Sequence, residues 1–236
     1  MDNKDFFLKT AKDAGITISH PSSMVSQFLA YKELLVHHNK FINLTAITED
    51  KEIIKRHFVD SLTPMAYINI QGQAIDVGTG AGLPGLPLSI ALPDTSFTLL
   101  DALKKRVAFL ETVKGALQLD NVTIIQGRAE EIAYTHHREA YDFVMSRGVA
   151  PLISLAEYCL PFAKIGGRFV AYKGRSYKEE VEIAAPAIGQ LGGEITNIIN
   201  YDNTTGYTLI IISKLRQTPP NFPRKQNKIK NSPILR

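Results

Sequence analysis

Four glycines fall within ten residues in DVGTGAGLPG, Asp76 to Gly85, directly after a short apolar run. Glycine has no Cβ, accepts positive φ and lets a ligand approach the main chain closely. Between a strand and a helix, such a loop holds a nucleotide-like ligand. Two registers are open. Gly80, Gly82 and Gly85 spell Gly-x-Gly-x-x-Gly, the dinucleotide pattern, and Gly78, Gly80 and Gly82 spell Gly-x-Gly-x-Gly with Asp76 two residues ahead. Both put an acid, Asp101, at the end of the next apolar run, where it would catch a ribose hydroxyl. Asp76 separates the registers. A carboxylate there repels a pyrophosphate but either holds the ammonium of an amino-acid moiety or orders the loop that does so. No Gly-Lys-Ser/Thr follows, which argues against a phosphate loop. A ligand with a ribose, an adenine and an amino-acid end is S-adenosylmethionine, and this is the expected cofactor.

The acceptor chemistry is read further along. The run ending in Arg147 continues as MSRGVA, without the Asn/Asp-Pro-Pro-aromatic clamp common in methylation of exocyclic amines. Methylation of a pyrimidine C5 uses a cysteine nucleophile. The single cysteine, Cys159, lies instead in an amphipathic segment and reads as packing. A ring nitrogen such as guanine N7 needs neither device. It has an in-plane lone pair and no proton to lose, so alignment and charge placement suffice. Arg147, at a strand end, is placed to pair a carboxylate of the cofactor or to hydrogen-bond the target base. It is the catalytic candidate through alignment, with no general base assigned. His57 and Asp60 share a helical face, and His37–His38 and His136–His137 are adjacent pairs that do not converge easily, so no metal site is expected.

The elements that must position these residues follow from periodicity. Residues 1 to about 70 read as helical. In SSMVSQFLAYKELLVHHNKF, Val25, Phe28, Leu29, Leu35 and Val36 form one stripe, with Ser22 or Ser23 as the cap. EDKEIIKRHFVDSL is a second amphipathic segment. From Gln73 the pattern alternates: strands AIDV, SFTLLD, VTIIQG, YDFVMSR and GRFVAYKG are interleaved with helices. One helix carries Leu103, Val107, Leu110, Val113 and Leu117 on one face. EITNIINY and YTLIIISKL close the chain as two successive strands, one of them antiparallel. The expected fold is α/β, a Rossmann-like, mostly parallel seven-stranded sheet of the class I methyltransferase type with an N-terminal helical extension. The expected organisation is a helical region over 1–70, a core over 71–215 and a flexible basic tail over 216–236.

Bulk properties agree with this. The chain has 236 residues, 44% hydrophobic and 21% charged, an ordinary globular balance. One cysteine allows no intrachain disulfide, and MDNKDFFLKTAKDAG lacks the apolar core of a signal peptide. A cytoplasmic monomer, with no membrane partner, is expected. The net charge of +4 hides an asymmetry: Lys214, Arg216, Arg224, Lys225, Lys228, Lys230 and Arg236 follow the last acid, and without those seven the chain sums to −3. A basic tail points to a polyanion, or else serves solubility.

The pieces KFINLTAI, RHFVDSL, DVGTGAGLPGLPLSI, LLDALKKR, GRAEE and SRGVAPL occur in this order and spacing. Together they resemble the ribosomal small-subunit methyltransferase G family, also called glucose-inhibited division protein B, from about residue 20 to the basic tail. The resemblance implies a bacterial cytoplasmic enzyme that methylates N7 of the guanine numbered 527 in 16S rRNA. It implies cofactor contacts at Gly78, Leu83, Asp101, Ala102, Leu103, Ala129, Glu130 and Arg147, to which the loop reading adds Asp76 and Gly80. Gly148 in SRGVA departs from the alanine usual in the family. The expected partner is 16S rRNA or the small ribosomal subunit, with Lys40, Asn43, Arg56, Lys173, Arg224 and Lys225 as candidate RNA contacts. Three alternatives stay open: a methyltransferase for another RNA, a protein or a small molecule; a non-enzymatic RNA-binding assembly factor on the same fold; and, third, a dehydrogenase that binds NAD at the glycine loop.

Overall fold

A computed structural model describes residues 1–19, 21–202 and 207–234. The first helices are α1 (Asn3–Asp13), α2 (Pro21–Ile42), α3 (Asp50–Ile53) and α4 (Asp60–Leu62). The π-helical turns of Ile54–Val59 join α3 to α4. The sheet comprises β1 (Gln73–Val77), β2 (Ser96–Asp101), β3 (Val122–Gln126), β4 (Tyr141–Arg147), β5 (Ala163–Lys173), β6 (Gly193–Asp202) and β7 (Tyr207–Lys214). Between strands run α5 (Gly85–Ala91), α6 (Lys104–Leu117), α7 (Ala129–Ile132), α8 (Leu152–Cys159) and α9 (Tyr177–Gln190), and α10 (Gln226–Asn231) closes the described chain.

The seven strands lie in the order β3-β2-β1-β4-β5-β7-β6. Among the described strands, β7 alone runs against the direction of the rest, pairing antiparallel with both β5 and β6. It sits between β5 and β6 rather than at the rim, because β6 reaches past it to become the edge. The central strands are apolar on both sides, as a sheet covered on both faces requires. Alternation along β1 sends Ala74 into a core shared with Phe28 and Tyr31 of α2, Leu86 of α5 and Phe109 of α6. It sends Ile75 and Val77 into a second core with Leu155 of α8 and Ile188 of α9. The N-terminal helices are therefore part of one wall of the sheet. Tyr31 also reaches the glycine loop, donating to the carbonyl of Ala81.

Three expectations are corrected. The helix expected to start at Ser22 or Ser23 begins at Pro21, so both serines lie inside its first turn. Leu103 does not share the buried stripe of Leu110, Val113 and Leu117; it precedes α6 and is exposed. The segment after residue 216, expected to be loose, is docked through residue 234. Glu157, 1% exposed, takes the guanidinium of Arg224 at 2.7 and 2.9 Å and its backbone N–H at 2.7 Å. Arg138 donates to the carbonyls of Thr218 and Phe222, and Ile229 is fully buried. A buried carboxylate is tolerated only when paired, so Glu157 explains why this segment is held. Lys214, counted above as a tail charge, is buried too and donates to the carbonyl of Leu160 and the hydroxyl of Thr218. Arg236 lies outside the described residues.

Candidate active site

A cavity of about 890 Å³ opens at the carboxy ends of β1, β2 and β4. This is where the strand order reverses, and open α/β sheets bind ligands at that point. Its floor is the glycine loop, which two carboxylates hold from below and from the side.

Asp76 is the lower support. One oxygen accepts from the Thr79 hydroxyl at 2.6 Å and the Gly85 N–H at 2.9 Å. The side chain is fully buried and does not border the cavity. Of the two roles open to it, it orders the loop. Its other oxygen is buried with no hydrogen-bond partner among the described residues. Burial pushes the carboxyl up to about 6, against the pull of Thr79 and Gly85.

Asp101 is the side support and does border the cavity. It accepts from the Gly80 N–H and the Leu103 N–H, each at 2.9 Å, and Arg106 stands 3.4 Å away. Each carboxylate oxygen has two lone pairs, so acceptor capacity remains for a ribose hydroxyl. Gly80 takes a φ of +62°, and a Cβ there would meet nothing nearer than Arg106 Nη1 at 3.9 Å. The missing side chain leaves the main chain open to the cavity.

The opposite wall comes from the N-terminal helices and the end of β4. Asn39 folds the chain after α2 back on itself: it accepts from the Leu44 and Thr45 N–H groups and donates to the Thr45 carbonyl. This presents Thr45 to His57, whose Nε2 lies 2.6 Å from the hydroxyl. Nδ1 of His57 lies 3.3 Å from the Arg56 carbonyl. A neutral ring with the proton on Nδ1 satisfies both contacts. Burial, helped by Arg147, lowers this imidazole to about 4 and keeps it neutral. Arg147 itself donates to Asp60 at 2.7 Å, and Tyr201 donates to the other Asp60 oxygen at 2.5 Å. Burial raises the Asp60 carboxyl above its ordinary value, while Arg147 and Tyr201 pull it down. Arg147 is thus oriented from behind by a buried carboxylate. Gly148 beside it takes a φ of +69° with open space around it, so glycine serves the conformation there.

Gly78, Gly80, Leu83, Asp101, Ala102, Leu103, Ala129, Glu130 and Arg147 all border the cavity. Asp76 lies beneath it. The six candidate RNA contacts do not border it. Lys40, Asn43 and Lys225 are exposed, and exposed Arg56 rests on the Tyr207 hydroxyl at 3.0 Å. Lys173 is bound to Glu180 at 2.6 Å and to the Ala150 carbonyl at 3.1 Å, and Arg224 is bound to Glu157. Neither is free for a phosphate. Sequence reasoning passed over Thr45, Asp60, Tyr201, Gln226 and Lys230 as parts of the site or its support. The i, i+3 spacing of His57 and Asp60 was the one local signal for this wall. Cys159 is fully buried, and its thiol is pushed up by burial. Among the described residues no three metal-ligating side chains converge.

The strand order, with an antiparallel strand inserted beside the last edge, is that of the class I S-adenosylmethionine-dependent methyltransferase fold. Among solved structures, the 16S rRNA (adenine(1408)-N(1))-methyltransferase of Catenulisporales acidiphilia superposes with a TM-score of 0.52 at 15% identity, over 62% of this chain and 86% of that one. An S-adenosylmethionine-dependent methyltransferase from Aquifex aeolicus gives 0.53 at 15% identity, over 68% and 91%. The family model for rRNA small subunit methyltransferase G matches residues 24–204. Ribosomal RNA small subunit methyltransferase G of Alkaliphilus oremlandii is 43% identical over 99% of this chain and 100% of its own length. That of Clostridium novyi is 45% identical over 89% of each. This chain belongs to the rRNA small subunit methyltransferase G family.

Proposed function

We propose that this chain methylates N7 of a guanine in 16S rRNA, at the position numbered 527, with S-adenosylmethionine as donor. The cofactor supplies an electrophilic methyl group. The residues present fit it: Gly80 leaves the main chain open, and Asp101 keeps acceptor capacity for a ribose. Gly78, Gly80 and Leu83 floor the site. Asp101, Ala102 and Leu103 take the ribose side, and Ala129 and Glu130 the adenine side.

The observation that carries the acceptor reading is the wall facing this floor. Its polar groups include a guanidinium oriented by Asp60, an imidazole held neutral by burial and the Thr45 hydroxyl bonded to that imidazole. Arg147 spends Nη1 on Asp60 and keeps further N–H donors for guanine O6, which leaves the N7 lone pair free. N7 carries no proton, so the residues need only orient the base and exclude water. A-form duplex hides N7 in a narrow groove, so the base must come from an accessible loop. Exposed Lys40, Asn43, Arg56 and Lys225 supply phosphate and sugar contacts around the opening. The family names of the relatives support rRNA as the substrate.

The test uses 16S rRNA or small subunits from cells lacking this protein, with 7-deazaguanine at the target. That change removes the nucleophilic nitrogen and little else. Unsubstituted RNA is expected to accept label and the substituted RNA none. Equal labelling of both would show that N7 is not the target.

A further inference from the structure

The docked carboxy-terminal segment does more than cover α8. Two of its side chains, Gln226 and Lys230, border the same cavity as the glycine loop. They belong to α10 and stand one turn apart, at i and i+4, so both face the same side of that helix. Both are exposed to solvent. Glu130 of α7 and Ser154 and Tyr158 of α8 line the same cavity. This end of the cavity is bounded by α7, α8 and α10.

The anchoring of the segment is directed at this placement. Glu157, which binds Arg224, stands on α8 between Ser154 and Tyr158, both cavity-lining. The Ser154 hydroxyl is 3.4 Å from the Ile229 carbonyl in the middle of α10. The Tyr134 hydroxyl, just after α7, donates to the Pro223 carbonyl at 2.8 Å. Thr218 at the start of the segment is fixed by Glu139, its N–H donating at 2.7 Å. The segment is thus tied to both elements that flank the cavity at this end. An arm meant only for phosphates would leave its arginine exposed; here Arg224 is spent on holding α10 in place.

We infer that the carboxy-terminal segment is a structural wall of the cofactor site, and that Gln226 and Lys230 contact the nucleoside half of S-adenosylmethionine. This rests on the cofactor reading given above. Gln226 brings an amide that both donates and accepts, matched to the edge of an adenine. Lys230 brings a cation whose four-carbon stem covers the purine face. The segment then acts in cofactor binding before any RNA arrives.

The test is calorimetry of S-adenosylmethionine and S-adenosylhomocysteine binding to the RNA-free protein. It compares the full chain with Gln226→Ala, Lys230→Ala and the double variant. The anchor Arg224–Glu157 is untouched in all three, and thermal unfolding of the ligand-free proteins checks that the fold is kept. The double variant is expected to bind roughly tenfold more weakly, the loss of about one good hydrogen bond with its contact area. Unchanged affinity in a folded double variant overturns the inference while leaving the cofactor reading intact. Failure of the full chain itself to bind either ligand overturns the cofactor reading and the inference with it.

Discussion

The glycine loop and the carboxy-terminal segment border one cavity but are held by opposite means. In the loop, carboxylates hold backbone: Asp76 and Asp101 accept the N–H groups of Gly85, Gly80 and Leu103. These residues lie within 28 positions of chain. In the segment, side chains clamp from afar. Arg224 meets Glu157 across 67 residues, and Arg138 takes the carbonyl of Thr218 across 80. The loop is built by short-range chemistry written into one motif. The segment is built by a buried charge pair whose halves look unrelated along the chain.

The sharpest way to break that contrast is to remove one half of the pair. Arg224→Ala leaves Glu157 buried and unpaired. A loss of about 3 kcal/mol, the lower end for a broken buried pair, is expected in denaturant unfolding. Glu157→Gln in the same background relieves the stranded charge and should recover part of it. No loss in Arg224→Ala would mean that the segment is not held by this pair.

The loop carries its own electrostatic signature. The native Asp76 carboxyl holds its proton up to about pH 6, whereas the unfolded one releases it near 3.8. Between those values the native state binds more protons, so this group makes stability fall as pH rises through the window. A shift of that size corresponds to about 2–3 kcal/mol. Asp76→Asn keeps an acceptor for Thr79 and Gly85 and removes the titration. Urea unfolding at pH 4 and pH 7 should show the decline reduced in the variant. An unchanged pH profile would show that Asp76 does not titrate in this window.

The smallest expected effect sharpens the cofactor half of the comparison. Gly80→Ala places a methyl at positive φ but meets open space, so it should cost only about 1 kcal/mol of stability. The methyl stands in the cavity where the ligand approaches. S-adenosylmethionine affinity should therefore fall more steeply than stability, which paired calorimetry and unfolding would resolve. Equal affinity would move the ligand off the loop.

The same contrast explains what the sequence could tell. Strands β1 to β4, the loop and Asp101 were legible because their signals are local: apolar runs, glycine spacing and an acid at a strand end. The buried stripe of α6 was legible from period, except Leu103, where the helix had not yet begun. The partnership of Arg147 with Asp60 spans 87 residues and had no local mark. The position of β7 inside the sheet, between β5 and β6, is a matter of strand order, which the hairpin pattern alone leaves open. The tail was misread for a physical reason. A run of lysines and prolines without acids looks solvated, yet Lys214 and Arg224 find their acids on Glu139 and Glu157, far upstream. Charge counted along the chain takes no account of charge buried in pairs.

The most direct test of the proposed activity is mass mapping of methylated nucleosides in 16S rRNA. It compares cells with this protein, cells lacking it, and lacking cells complemented with the wild type or with Arg147→Lys. The account predicts that 7-methylguanosine at the position numbered 527 is lost in the absence of the protein. The wild type should restore it, and Arg147→Lys, which keeps the charge but not the fork that Asp60 orients, should restore it poorly. Full 7-methylguanosine at that position in cells lacking the protein would contradict the account.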